Sequence, residues 1–159
     1  MTIDHNIVLH SITNDSQVEE LRVIRNSCRE FMTRNTDEIS IEQQKKWYAN
    51  LNKSVNKVFL VYEIYFGAIV NTIGYGYIRI ENDYILLTGG LINSERGKGY
   101  GSILFELLLQ QSKQYNLPIK LEVLKTNMRA FVVYNNLGFR VVSDNGKMIR
   151  MEYHYDSVI

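Results

Sequence analysis

Hydrophobic positions along this chain recur at two spacings, and the switches between them set out an alternation of strands and helices. Residues 7–12 (Ile-Val-Leu-His-Ser-Ile) read as a first strand that ends at Thr13-Asn14-Asp15. Ser16-x-x-Glu19 has the form of a capping box, after which Val18, Leu21, Ile24 and Cys28 fall on one helical face. A polar loop over 33–38 follows. Ser40-x-x-Gln43 then opens a second helix over 44–51, with Trp47 and Leu51 on one side. Residues 58–66 and 73–80 are rich in Val, Ile, Tyr and Phe and predict two strands, joined by a hairpin around Gly67, Asn71 and Thr72. Glu81-Asn82-Asp83 predicts a turn into a central strand over 84–92, where Gly89-Gly90 marks a bulge or a close backbone approach.

The second half continues with a helix over 99–115 that stops before Pro118, then a strand over 119–124. A short helix over 127–136 is ended by Gly138, and strands over 139–143 and 148–155 close a hairpin around Asp144-Asn145-Gly146. Strand, helix, strand in that order requires a parallel pair joined by a right-handed crossover. The expected fold class is therefore α+β: a mixed, mostly antiparallel central sheet of about seven strands, helices on both faces, and one parallel pair near its middle. With 159 residues and no linker, repeat or low-complexity segment, one domain over 1–159 is expected.

Composition narrows the function classes. The chain is 45% hydrophobic and 22% charged with a formal net charge of +1, so nothing argues for non-specific nucleic-acid binding. The first ten residues lack the charged and apolar regions of a signal peptide, and no apolar run reaches a membrane span. His5, His10, His154 and the single Cys28 are scattered and make no zinc spacing, and one cysteine forms no internal disulfide. The expectation is a soluble cytoplasmic protein with no metal, no membrane partner and no nucleic-acid partner.

The richest signal is Arg96-Gly97-Lys98-Gly99-Tyr100-Gly101, which runs into Ser102 and the apolar helix. Its glycines let backbone N–H groups approach a bulky anion, and the helix N-terminus adds the positive end of its dipole, which suits a diphosphate. The alternative is a tight strand–helix turn. The nucleotide-triphosphatase loop does not fit, because Lys98 is followed by Gly99, and the dinucleotide fingerprint fails at Ser102. What fits is Arg/Gln-x-x-Gly-x-Gly. Downstream come Leu121-Glu122-Val123, Asn127, Ala130, and Tyr134 followed by Leu137-Gly138-Phe139. In this order, over about residues 86–139, the set resembles the GCN5-related N-acetyltransferase (GNAT) family.

That resemblance implies acetyl-CoA as co-substrate, a central strand pair splayed to admit the pantetheine arm, and direct transfer to an amine in a ternary complex. It places the pyrophosphate on the amides of Arg96, Gly97, Lys98, Gly99, Tyr100, Gly101 and Ser102, with Lys98 near the 3′-phosphate. Leu91, Ile92 and Asn93 would hydrogen-bond pantetheine, one of their amides polarising the thioester. Asn127 would steady the cofactor arm or serve as an N-cap. Many members carry Pro-Glu where this chain has Asn93-Ser94.

Acetyl transfer needs a neutral amine, a stabilised oxyanion and a proton or hydrogen bond for the leaving thiolate. Tyr134 is the catalytic candidate for the leaving group, against a plain core tyrosine. Glu122, on an apolar strand, is the candidate base, because desolvation would raise its pKa; the rival is a carboxylate paired with a cation such as Lys120. Glu81 and Asp83 are reserve bases acting through water. The acceptor is a small-molecule amine. Arg25, Arg29 and Arg34 ahead of Gln43, Gln44, Trp47 and Tyr48 allow an anionic acceptor with a stacking ring, such as a nucleotide-linked amino sugar. A solvated arginine face with a core Trp47 is the competing reading. A protein N-terminal acetyltransferase and a non-catalytic acyl-CoA-binding domain are the alternatives, and the protein would be a monomer or homodimer.

Overall fold

The computed structural model describes residues 5–34 and 36–155. In chain order these are β1 (His5–Ser11), α1 (Asp15–Ser27), α2 (Ile41–Ala49), β2 (Asn56–Tyr65), β3 (Ala68–Ile80), β4 (Ile85–Leu91), α3 (Tyr100–Ser112), β5 (Ile119–Leu124), α4 (Met128–Leu137), β6 (Phe139–Asp144) and β7 (Met148–Tyr153). Short 3₁₀ turns lie at Arg29–Phe31, Asn93–Glu95 and Lys113–Tyr115. The seven strands form one sheet in the order β1-β2-β3-β4-β5-β7-β6, antiparallel throughout except for the parallel pair β4–β5. The expected α+β architecture is present, with its one parallel pair in the middle.

Alternation along the strands sends side chains to two separate cores. Ile78, Ile85, Leu87, Ile119, Leu121, Val123 and Met151 pack with Leu104, Phe105 and Leu108 of α3 and Tyr134 of α4. On the opposite face Val58, Leu60, Tyr62 and Tyr75 meet Val18, Leu21, Ile24 and Cys28 of the α1 segment, with Trp47 and Tyr77 partly buried against them. The periodic face read from the sequence of α1 is thus the buried one.

Helix boundaries follow their caps. Ser40 and Gln43 form the reciprocal capping box of α2. In α1 the cap is displaced from Ser16 to Asn14, whose side chain accepts from the Gln17 amide, while Gln17 Oε1 accepts from Thr13 N at 2.7 Å. Asn serves this position as well as Ser, and Glu19 is occupied by Arg22 instead. Gly138 ends α4 in a left-handed conformation, φ 109°.

Two turns differ from expectation. The β2–β3 hairpin closes on Phe66-Gly67 alone, with φ of 50° and 80°, so Asn71 and Thr72 belong to strand β3. Gly89-Gly90 carries no bulge, since its register with Gly76 and Tyr75 is regular. Close approach is the reason for these glycines: a Cβ on Gly90 would stand 3.1 Å from Cys28 Sγ and from the Tyr75 ring. The register shifts lie elsewhere, at Val61/Tyr62 and Glu63/Ile64 between β2 and β3, and at Val141/Ser143 between β6 and β7.

Gly74 is the tightest position in the sheet, since a Cβ there would fall 2.3 Å from the Gly90 carbonyl oxygen, a backbone atom. At Gly76 the nearest atom is a Leu108 methyl at 2.9 Å, which can rotate away. Gly74→Ala is expected to cost about 3 kcal/mol and Gly76→Ala about 1 kcal/mol in urea unfolding. Equal losses would show that β3 and β4 part easily at this level.

Candidate active site

Strands β4 and β5 pair only from Ile85–Leu87 to Ile119–Leu121 and then separate. Beyond that point β4 stays on β3 up to Leu91, and β5 stays on β7 up to Leu124. Ile92 N donates to Ile73 O at 2.9 Å, so by the alternation of an antiparallel ladder the Gly89 and Leu91 amides turn away from β3, toward the gap. The separation opens a cleft of about 930 Å³ that takes in the ends of both strands, the loop before α3 and one face of α4.

The loop between β4 and α3 lines one end of this cleft through Arg96, Gly97, Gly99, Gly101 and Ser102. Gly97 and Gly99 have φ of 79° and 85°, values that disfavour any side chain. Gly99 is the N-cap of α3 and supplies no capping side chain, so the first amides of the helix are left for an anion. A Cβ on Gly99 or Gly101 would meet nothing within 4 Å. The loop presents bare backbone to open space, as phosphate recognition requires.

Side chains in this loop take other tasks. Arg96 turns back, donating through Nε to Leu91 O at 3.1 Å, with its guanidinium 4.3 Å from the Phe31 ring centre. It fastens the loop to the end of β4. Lys98 pairs with Glu95 at 3.1 Å and Tyr100 donates to Glu63 at 3.1 Å, and neither lines the cleft. Ile92 does not line it either and spends its amide on β3, whereas Leu91 and Asn93 do line it. Asn127 borders the cleft and also caps α4, accepting from Ala130 N at 3.3 Å. Sequence reasoning missed Arg129, which lines the cleft with Nη1 3.7 Å from where a Gly97 Cβ would sit. The available signal was an arginine in the first turn of a helix facing a glycine loop.

Tyr134 is buried on α4, edge-on to Phe105 at 4.7 Å between ring centres and to Phe139 at 6.2 Å, and it borders the cleft. Desolvation, reinforced by Tyr75, pushes its pKa above that of an ordinary phenol. It therefore keeps its proton across the physiological range. Its ring packs in the core, and the residue also borders the cleft.

Glu122 differs from expectation. It does not pair with Lys120, whose ammonium sits 4.9 Å from the Tyr84 ring centre. Arg34 holds the Glu122 carboxylate through two 2.8 Å hydrogen bonds, Thr33 Oγ1 donates at 3.2 Å and Arg150 Nε at 3.3 Å. Burial alone would raise the pKa, as the sequence suggested, but the Arg34, Thr33 and Arg150 contacts outweigh it and hold the carboxyl below its ordinary value. Of the reserve bases, Glu81 sits 2.9 Å from Arg79, and neither Glu81 nor Asp83 lines the cleft.

Away from the glycine loop, Arg25, Arg34 and Trp47 line the cleft together with Tyr75, Tyr77 and Arg79. Arg29 instead faces Glu38 at 3.8 Å, and Gln44 is buried, donating to Val18 O at 3.3 Å. Gln43 completes the α2 cap and Tyr48 points to Ile12 O at 3.5 Å. Among the described residues no helix is long and apolar enough to cross a membrane, and no group of three or more His, Cys, Asp or Glu could hold a metal.

The Acetyltransferase (GNAT) domain family matches residues 11–159. Solved structures share the fold at low identity. A domain from Methanocaldococcus jannaschii superposes with a TM-score of 0.81 at 17% identity, covering 94% of this chain and 98% of that one. The spermidine N-acetyltransferase of Vibrio cholerae, solved with CoA and spermine, gives 0.77 at 19%, covering 92% and 94%. The protein yncA of Salmonella typhimurium, solved with its cofactor acetyl-CoA, gives 0.71 at 14%, covering 98% and 96%. No curated protein matches this chain.

The pairing of Glu122 makes a stability prediction whose sign is fixed. A carboxyl lowered on folding contributes stability above its ordinary pKa of 4.5 and loses it as pH falls through the lower folded value. Glu122→Gln should therefore be less stable than wild type at pH 7 by about 1 kcal/mol, since both arginines remain half-exposed to solvent. In urea titrations the gap should be smaller at a second pH below 4.5, and shrink further as pH falls. A gap of the same size at both pH values would mean the ionised carboxylate contributes nothing.

Proposed function

Since the chain belongs to the GNAT acetyltransferase family, we propose that it transfers an acetyl group from acetyl-CoA to the primary amine of a small molecule, both substrates bound at once. The carrying observation is one cleft onto which the bare glycine loop, the released edge of β4 and Tyr134 all open. The loop and the uncapped start of α3 take the pyrophosphate, and Arg129 adds charge beside Gly97. The pantetheine arm runs between β4 and β5, where the Leu91 or Gly89 amide polarises the thioester carbonyl. The amine nitrogen attacks that carbon, the tetrahedral oxyanion collapses, and the C–S bond breaks to leave a thiolate.

Tyr134 meets that thiolate as hydrogen-bond donor. Its raised pKa shapes the role: a phenol at ~10 or above holds its proton more tightly than a thiol near ~8.5, so the hydrogen bond stabilises the charge and solvent completes protonation. Glu122, ionised and enclosed by two guanidiniums, is a weak base; we assign it the positioning of Arg34 and the loop that carries it. The amine proton then leaves through water. A paired Glu122 also counts against a protein N-terminal acetyltransferase in which this carboxylate would be the free base. Arg25, Arg34 and Trp47 around the acceptor end support an anionic amine such as a nucleotide-linked amino sugar.

Three variants test this reading. Gly99→Val puts a branched side chain into the space kept for phosphate, and should erase the melting-temperature rise that CoA gives wild type while the apo protein melts only slightly lower. A wild-type response to CoA would remove the loop from the site. Tyr134→Phe should keep that response but lower kcat by about 10²-fold; near-normal turnover would return the residue to the core alone. For Glu122→Gln, a positioning role gives a rate loss that is constant with pH. A deficit that fades as pH approaches the amine's own pKa would make Glu122 the base after all.

A further inference from the structure

Charge in the cleft is unbalanced, and the imbalance has a place. Five arginines line it (Arg25, Arg34, Arg79, Arg96 and Arg129) against two carboxylates, Glu30 and Glu122. Both carboxylates are already matched: Glu122 by Arg34 and Arg150, and Glu30 by Arg96 at 3.8 Å. Arg129 stands by the glycine loop, where a phosphate is expected. At the far end stand Arg25 and Arg79, the charge of Arg79 being matched by Glu81 just outside the lining.

Arg25 Nε is buried and has no hydrogen-bond partner among the described residues. A buried guanidinium N–H without an acceptor is destabilising, a cost that an incoming oxyanion removes. Arg79 Nε, likewise buried, lies 2.9 Å from Glu81 Oε1 yet is not aimed to hydrogen-bond it. Tyr75, Tyr77 and Arg79 stand at every second position of β3 and so share one face, opposite α1. Arg25 faces the Tyr75 hydroxyl as a hydrogen-bond donor while its Nε stays unpaired, and both Arg25 and Arg79 bear electrostatically on Tyr77, which sets the two guanidiniums around one aromatic floor. Tyr77 is fixed there by its hydroxyl on Asn56 at 2.5 Å, and Trp47 forms an adjoining wall.

We infer that Arg25 and Arg79 form an oxyanion-binding subsite that selects acceptors carrying a carboxylate or phosphate beside an apolar or ring portion, and that disfavours polycationic amines. The inference rests on the amine-acceptor reading above. A polyamine would bring further positive charge into an arginine-lined end, a like-charge cost that an anionic amine turns into two charge-assisted contacts.

The chain has a single tryptophan, Trp47, in this part of the cleft, so its fluorescence reports occupancy without turnover. The protein is first saturated with CoA to fill the loop, then titrated with matched pairs: lysine against cadaverine, glucosamine 6-phosphate against glucosamine, and spermidine alone. At least one carboxylate- or phosphate-bearing member should give a saturable change at a Kd tenfold or more below its counterpart lacking that group, and which pair responds tells carboxylate from phosphate. Arg25→Gln and Arg79→Gln, each checked by melting curve and by its response to CoA, should raise that Kd about tenfold. Arg25→Lys should fall between, keeping charge but losing the planar fork. Spermidine or cadaverine binding as tightly as the anionic members overturns the subsite, as do no saturable response to any anionic member and an unchanged Kd in both Gln variants. If CoA fails to stabilise the protein while Trp47 still responds to the anionic amines, the cofactor reading fails and the subsite stands.

Discussion

The parting of β4 from β5 is the constraint on which the rest depends. Two neighbouring strands in the middle of a sheet ordinarily consume each other's backbone groups, and here they do so only from Ile85–Leu87 to Ile119–Leu121. The sheet survives because each strand keeps its outer neighbour, β3 for β4 and β7 for β5. Released amides on the inner edge would be costly if buried dry, so the gap has to stay wet or hold a polar ligand. An extended chain bearing carbonyls and amides satisfies that requirement along its whole length.

The same parting sorts the chemistry by face. Strand alternation puts Leu121 and Val123 into the core beneath α3 and α4, and sends Glu122 to the side of α1 and the loop after it. Tyr134 approaches from the first side, with Arg129 of the same helix, and Arg25 of α1 and Trp47 from the second. Two layers that would otherwise be insulated by the sheet become neighbours at the opening, which is how a buried phenol and a cluster of arginines come to share one space.

Features carried by local geometry were legible in the sequence. The glycine loop, the Ser40–Gln43 box, the Gly138 stop and the apolar face of α1 each depend on residues within a few positions of one another. Features set by distant partners were not. Glu122 looked isolated among apolar neighbours, yet its charge is settled by Arg34 and by Arg150, 88 and 28 positions away. Arg79 reads as an ordinary strand residue and Arg129 as an ordinary helix residue until the fold brings them to the cleft. Gly89-Gly90 was flagged correctly as special, but its reason, the packing of Cys28 and Tyr75 against it, lies in two other elements. The expected pKa of Glu122 failed because desolvation can be read from neighbours in sequence, while ion pairs cannot.

The contact between the Thr33–Arg34 segment and Glu122 ties two parts of the molecule together. The N-terminal strands with α1 and α3 make one half, and β5, β7, β6 with α4 make the other, joined by a short run of parallel rungs and by the packing of α3 on α4. Arg34 reaches from the first half to grip the second, beyond the last of those rungs. The open side of the parallel pair is thus bridged outside the sheet, by a segment that belongs to no strand or helix.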